Sequence, residues 1–249
     1  MPADNGRLKT TVEELARRWR KEFIHLDSIF SCYPAYPIAE EDLRQYLQEP
    51  ISALPLAVRE LLPKINIALV PYLQKSAGRT GPTVVDEKPA EAKLLLSSQV
   101  FSEGAATLFF TVKDEQVSDY HYYFYESIAY LIAERLPEKV LNAYHRIMRE
   151  ELSAEVHGEV DEQSWRFKQA LLRRPTMARK DSKPFRDYAK QSFVDTMTLY
   201  LHGICCDIDV ETGPRQLPSR YLRKRLVAFK EFFPAPEGFA VFPEDLNRE

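Results

Sequence analysis

Between residues 65 and 136 the hydrophobic pattern changes period once, and that change narrows the folds open to the chain. Residues 65–71 (INIALVP) and 106–113 (ATLFFTVK) are short, apolar and rich in β-branched and aromatic side chains, which predicts strands. Residues 93–98 are a third strand candidate, and the Gly104 region can turn. From Tyr120 onward the pattern is helical: Phe124, Ile128, Leu131 and Ile132 follow an i, i+4, i+7, i+8 spacing, and Pro137 stops it. A small sheet running directly into a long helix implies an α+β fold.

The remainder reads mostly as helix. Thr11 with Glu14 has the spacing of a capping box, and Leu15, Trp19, Phe23 and Leu26 then recur at helical intervals, predicting a helix over 11–30. Residues 33–38 (YPAYPI) must be extended or turning. Short helices are expected at 40–48 and 56–62, and a loop at 76–89. Beyond the long helix, further helices are predicted at 138–152, 161–173, 184–202 with Gly203 as C-cap, and 220–232, followed by a proline-rich tail. The economical organisation is one mostly helical α+β domain over 1–249. It has a helical part at 1–64, a core at about 65–203, and a C-terminal helix and tail at 204–249.

Composition removes several function classes. Hydrophobic residues make up 45% of the 249, enough for a sizeable core and against wholesale disorder. A net charge of −3 gives no polyanion-binding surface, so nucleic acid is not an expected partner. The basic runs at 17–20 and 220–225 read as solvated helix faces. No stretch approaches a membrane span, and the opening residues lack the apolar centre of a secretory leader. Cys32, Cys205 and Cys206 read as thiols, which points to a reducing cytoplasm, and without Cys-x-x-Cys a structural zinc site is not expected.

Residues 119–136 (DYHYYFYESIAYLIAERL) hold the first candidate site. A zinc hydrolase helix needs two imidazoles one turn apart and a carboxylate beside them as base, the His-Glu-x-x-His pattern. Two registers fit in part. With His121 as first ligand, Tyr122 falls at the base position and Tyr125 at the second ligand; with Glu126 as base, both imidazoles are missing. The plainer alternative is that His121 is a helix-start histidine and the apolar face is core. The cluster Tyr120, Tyr122, Tyr123 and Tyr125 suits either a partly polar cleft or packing at a half-buried helix start. A second window, 184–203 (PFRDYAKQSFVDTMTLYLHG), sets Asp195 among large apolar residues, where a carboxylate needs a partner, an ion or an opening to water. His202 lies seven residues on, along roughly the same stripe. His25 and His145 read as peripheral, and His157 as a solvated loop histidine that could otherwise approach the site from the side. A nucleophile at Cys205 or Cys206 beside His202 would suffer from adjacent positions pointing different ways.

The second window resembles the zincin-like metallopeptidase fold, in its glutamate-zincin branch, through Tyr188-Ala189, Phe193, Asp195 and Leu199-Tyr200-Leu201. The likeness covers about 65–203. It implies a sheet placed before the active helix and a following helix that supplies the third metal ligand, here Asp195 where the family has glutamate. Two histidines and a glutamate do not occur together in either register.

Three functional expectations follow. The first is a metallopeptidase-like domain that has lost metal-dependent catalysis and serves as a binding or regulatory module for a protein or peptide, with no cofactor; Tyr122, Tyr125, Tyr188 and His202 would contact the ligand. The second is an active metal-dependent hydrolase with His121 and Asp195 as zinc ligands and Glu126 as base. The third is a helical interaction domain unrelated to peptidases. Oligomeric state is left open.

Overall fold

The computed structural model describes residues 10–76, 81–102, 104–173, 175–178, 180–206 and 215–246; parts of the expected 76–89 loop and of the tail lie outside them. In chain order the elements are β1 Thr10–Thr11, α1 Val12–Arg18, a 3-10 turn Trp19–Lys21, β2 Ile24–His25 and β3 Phe30–Pro34. Helix α2 Glu40–Leu43 passes through a π-helical turn, Arg44–Gln48, into α3 Glu49–Ser52, and α4 is Leu56–Arg59. Then come β4 Lys64–Val70, β5 Tyr72–Gln74, β6 Thr83–Val85, β7 Leu94–Leu95, β8 Ser97–Ser102 and β9 Ala105–Thr111. The helices α5 Val117–Ala133, α6 Glu138–Ser153, α7 Glu162–Leu172, α8 Pro175–Ala178, α9 Lys183–Cys205, α10 Ser219–Phe232 and α11 Pro243–Leu246 complete a mostly helical α+β fold.

The chain divides into two compact units, Met1–Pro50 with Leu62–Ser127, and Ile51–Leu61 with Ile128–Glu249. The first is built on a five-stranded sheet of order β2-β3-β4-β9-β8. Strand β4 runs parallel to both β3 and β9, whereas β8 is antiparallel to β9. Both faces of β4 and β9 are covered, which is why these two strands read as near-continuous apolar runs rather than alternating ones. On one face Ala68, Val70 and Phe109 pack with Val12, Leu15 and Trp19 of the α1 region. On the other, Phe30 and Phe110 meet Phe124 of α5. A four-stranded sheet of order β1-β6-β5-β7 adjoins, Leu73 joining the α1 core.

Helix α1 starts where expected: Glu14 N donates to Thr11 Oγ1 at 3.3 Å and Thr11 N to Glu14 Oε2 at 3.2 Å, a complete capping box. It does not continue to residue 30. The Asp27 carboxylate accepts from the backbone N–H of Ile29 (2.7 Å) and Phe30 (2.8 Å), and this turn folds β2 back on β3. Leu26, expected on the apolar stripe, is accordingly exposed. The expected strand at 93–98 is divided: a 3-10 turn takes Glu91–Lys93, β7 joins the smaller sheet and β8 the larger. The expected 76–89 loop contains β6.

In the second unit α6, α7 and α10 pack against α9 around Tyr144, Phe193, Tyr200 and Phe229, whose rings form edge-to-face and tilted contacts at 5.1–5.9 Å. Gly203 does not cap α9. The helix runs on to Cys205 because Ile204 still faces the core, and Cys206 is the C-cap. Asp161, expected as the first helical residue, instead caps α7 through the Gln163 N–H at 3.0 Å. Among the described residues no helix is long and apolar enough to cross a membrane.

Candidate functional site

Asp114, in a left-handed conformation (φ 60°), turns the chain from β9 toward α5, and the Tyr72 hydroxyl donates to its carboxylate. The first turns of α5 then settle into the first unit. Tyr120 is buried edge-on against Tyr46 and Phe110, and burial pushes its phenol well above the ordinary range; among the described residues its hydroxyl has no hydrogen-bond partner. His121 is buried, with Nε2 2.7 Å from the Gln45 carbonyl oxygen. That oxygen is open for a physical reason. In the π-helical turn the Glu49 N–H reaches back to Arg44 O, so the next bond would run from residue 50 to Gln45, and Pro50 has no N–H. A carbonyl only accepts, so His121 Nε2 carries the proton. One turn on, the buried Tyr125 hydroxyl donates to Pro50 O at 3.2 Å. Tyr122 and Tyr123 are half-buried with their rings edge-to-face, and Glu126 is half-buried.

The other three candidates, Tyr188, Asp195 and His202, lie on α9 in the second unit. Asp195 is buried. Its carboxylate accepts from Ser164 N at 3.2 Å and Gln191 Nε2 at 2.7 Å, so its partner is the N-terminal turn of α7. Burial raises its pKa to about 6, although both hydrogen bonds act to lower it. Tyr188 donates its hydroxyl to Glu159. His202 is half-buried in the last turn of α9, where its carbonyl accepts from the Cys206 N–H at 2.8 Å.

Sequence reading missed the charged cluster at the centre of the second unit. Arg225 of α10 is fully buried. Its Nε and Nη2 meet Glu151 of α6 at 3.0 and 2.5 Å, its Nη1 and Nη2 meet Glu159 at 2.8 and 3.1 Å, and Nη1 also reaches Ser192 Oγ of α9 at 2.9 Å. Lys168 of α7 adds a second buried cation, 3.3 Å from Glu159 and 2.8 Å from the Gly158 carbonyl. Two carboxylates thus face two cations. Burial alone would raise the Glu159 pKa; the charges of Arg225 and Lys168 outweigh it and hold the group at about 2. Glu159 is held in place by backbone bonds to Arg215 O and from Leu217 N, and Gly158 before it has φ 83°, with a Cβ there falling 2.1 Å from Gln216 O. The side chains are closed to solvent, so the cluster is a fastening, not a binding site. The signal for it was present: Arg225 shares a face with Leu222, Leu226 and Phe229, at i−3, i+1 and i+4, which a solvated basic stripe would not.

At the edge of the larger sheet, β8 offers a different surface. Thr111 N donates to Leu96 O, which sets the phase of the antiparallel ladder. Ser98, Val100 and Ser102 therefore turn their backbone groups toward β9, and those of Ser97, Gln99 and Phe101 face outward. The strand carries neither charge nor proline, the usual protections of an edge, and Phe101 is 58% exposed. Compared with known proteins, the chain matches no family model, no curated protein and no solved structure.

Proposed function

We propose that the protein is a metallopeptidase-like binding module that has lost metal-dependent catalysis and takes an extended peptide along β8. The observation that carries the binding is the outward backbone of Gln99 and Phe101 on an uncharged edge, with the Phe101 ring as an anchor. The loss of catalysis is supported by Asp195, whose carboxylate serves the α7 N-terminus. Tyr125, at the second-ligand position, donates its proton to a backbone carbonyl. The cytoplasm suits this reading, since Cys32 is a buried free thiol.

One observation favours the active-hydrolase alternative. A ring N–H donated to a carbonyl is how metal-binding histidines are commonly oriented, and His121 makes such a bond to Gln45.

Two measurements decide. Protein purified without chelator or affinity metal should carry no stoichiometric zinc and cleave no generic peptide; one equivalent of zinc, removed by His121→Ala and Asp195→Ala, would hand the lead to the hydrolase. Extended peptides selected from a random library should slow amide exchange at Gln99 and Phe101. Binders that leave those amides unprotected sink the strand-addition proposal.

A further inference from the structure

A separate observation in the first unit concerns a small cavity beside α1. It encloses about 230 Å³ and is walled by Leu15, Trp19, Tyr33 and Val84. This is below the roughly 300–1,000 Å³ of drug-sized clefts, so it suits a metabolite of few atoms. The Trp19 and Tyr33 rings stack at 4.4 Å with 27° between planes. Burial and the nearby Glu22 carboxylate push the Tyr33 phenol up, so it stays neutral.

The two charged lining residues, Arg18 and Asp86, are both exposed, which puts them at the mouth. Among the described residues neither has an ion-pair partner, though each side chain is within reach of the same opening. Apolar walls call for an apolar body. A lining with one charged side chain of each sign disfavours a simple anion or cation, since either meets one like charge. It suits a head group that carries both. The Arg18 guanidinium matches a carboxylate through paired N–H donors, and the Asp86 carboxylate matches an ammonium.

We propose that this cavity binds a free α-amino acid with an apolar side chain, its carboxylate at Arg18, its ammonium at Asp86 and its side chain against Trp19 and Tyr33. The site is independent of β8 and of the peptidase-like reading.

The chain has two tryptophans, so Trp165→Phe leaves Trp19 as the only indole reporter. L-Leucine and L-phenylalanine, titrated into that variant, should change its fluorescence saturably. N-acetyl-L-leucine and L-leucine amide, each lacking one charge, should bind at least tenfold more weakly. Arg18→Gln and Asp86→Asn, both on exposed side chains, should each weaken L-leucine by a similar factor, with unfolding midpoints shifted little. No saturable signal with either amino acid overturns the proposal. So does equal binding of the blocked derivatives, or full affinity in both variants.

Discussion

Arg225 and Glu159 lie edge to edge, Nη1 to Oε2 at 2.8 Å and Nη2 to Oε1 at 3.1 Å, and neither side chain touches solvent. Paired this way, with Glu151 and Lys168 completing a neutral set, the charges compensate one another. Removing any one of them leaves the others buried and unmatched.

Arg225→Ala is therefore expected to lower stability by about 3–5 kcal/mol, the range for breaking a buried ion pair from one side. Arg225→Lys should recover little, because an ammonium cannot span both carboxylates as a planar fork does. Urea unfolding followed by circular dichroism checks this; a loss under about 1 kcal/mol would contradict the role given to the cluster.

Asp195 and Glu159 predict opposite pH responses in windows that overlap only at their edges. The Asp195 carboxyl, raised by burial from the ordinary aspartate value of 3.8 to about 6, holds a proton in the folded chain that the unfolded chain has released. Stability should fall as pH rises from about 4 to 6, by at most about 3 kcal/mol. Asp195→Asn should flatten that slope. Glu159, held at about 2, contributes stability that is present above the ordinary glutamate value of 4.5 and lost as pH falls toward 2. Unfolding curves for wild type and Asp195→Asn, collected from pH 3 to 8, separate the two effects. A wild-type slope unchanged by the substitution would sink the first.

On β8, Gln99→Lys and Phe101→Lys should abolish capture of library-selected peptides while shifting stability by no more than about 0.5 kcal/mol, since both side chains are exposed. Binding by fluorescence anisotropy, with thermal melts alongside, provides the check; retained affinity in both variants argues against strand addition.

Thr11→Ala removes the side-chain half of the α1 capping box and should cost about 1 kcal/mol. Thr11→Ser, which keeps the hydroxyl, should cost markedly less. Parallel urea titrations compare them, and equal losses would mean that the cap contributes nothing.

How far the fold could be read depended on how local its causes are. Strands β4 and β9 are legible because a strand covered on both faces must be apolar throughout, and α6, α7 and α10 because their apolar periodicity lies within their own residues. The β2–β3 hairpin was hidden, since Leu15, Trp19, Phe23 and Leu26 keep helical spacing while the decisive signal is one Asp27 side chain bonding its own backbone. For Asp195 the need for a partner was legible and the partner was not: Ser164 stands 31 positions away. The carbonyl that receives His121 belongs to Gln45 in the π turn, 76 positions distant, and is left open by Pro50 beyond it. Spacing within one helix carries no trace of it.

The buried cluster also sets an order on synthesis. Glu151 precedes Arg225 by 74 residues. At roughly 5–20 residues per second, a nascent chain on the ribosome would wait roughly 4–15 s between presenting the carboxylate and presenting its guanidinium. Until α10 emerges, Glu151, Glu159 and Lys168 have reason to stay in water, and α6, α7 and α9 cannot close fully over them. The second unit is thus a structure that its last long helix completes, and a chain halted before residue 225 would present a hydrated, open seam to chaperones and proteases.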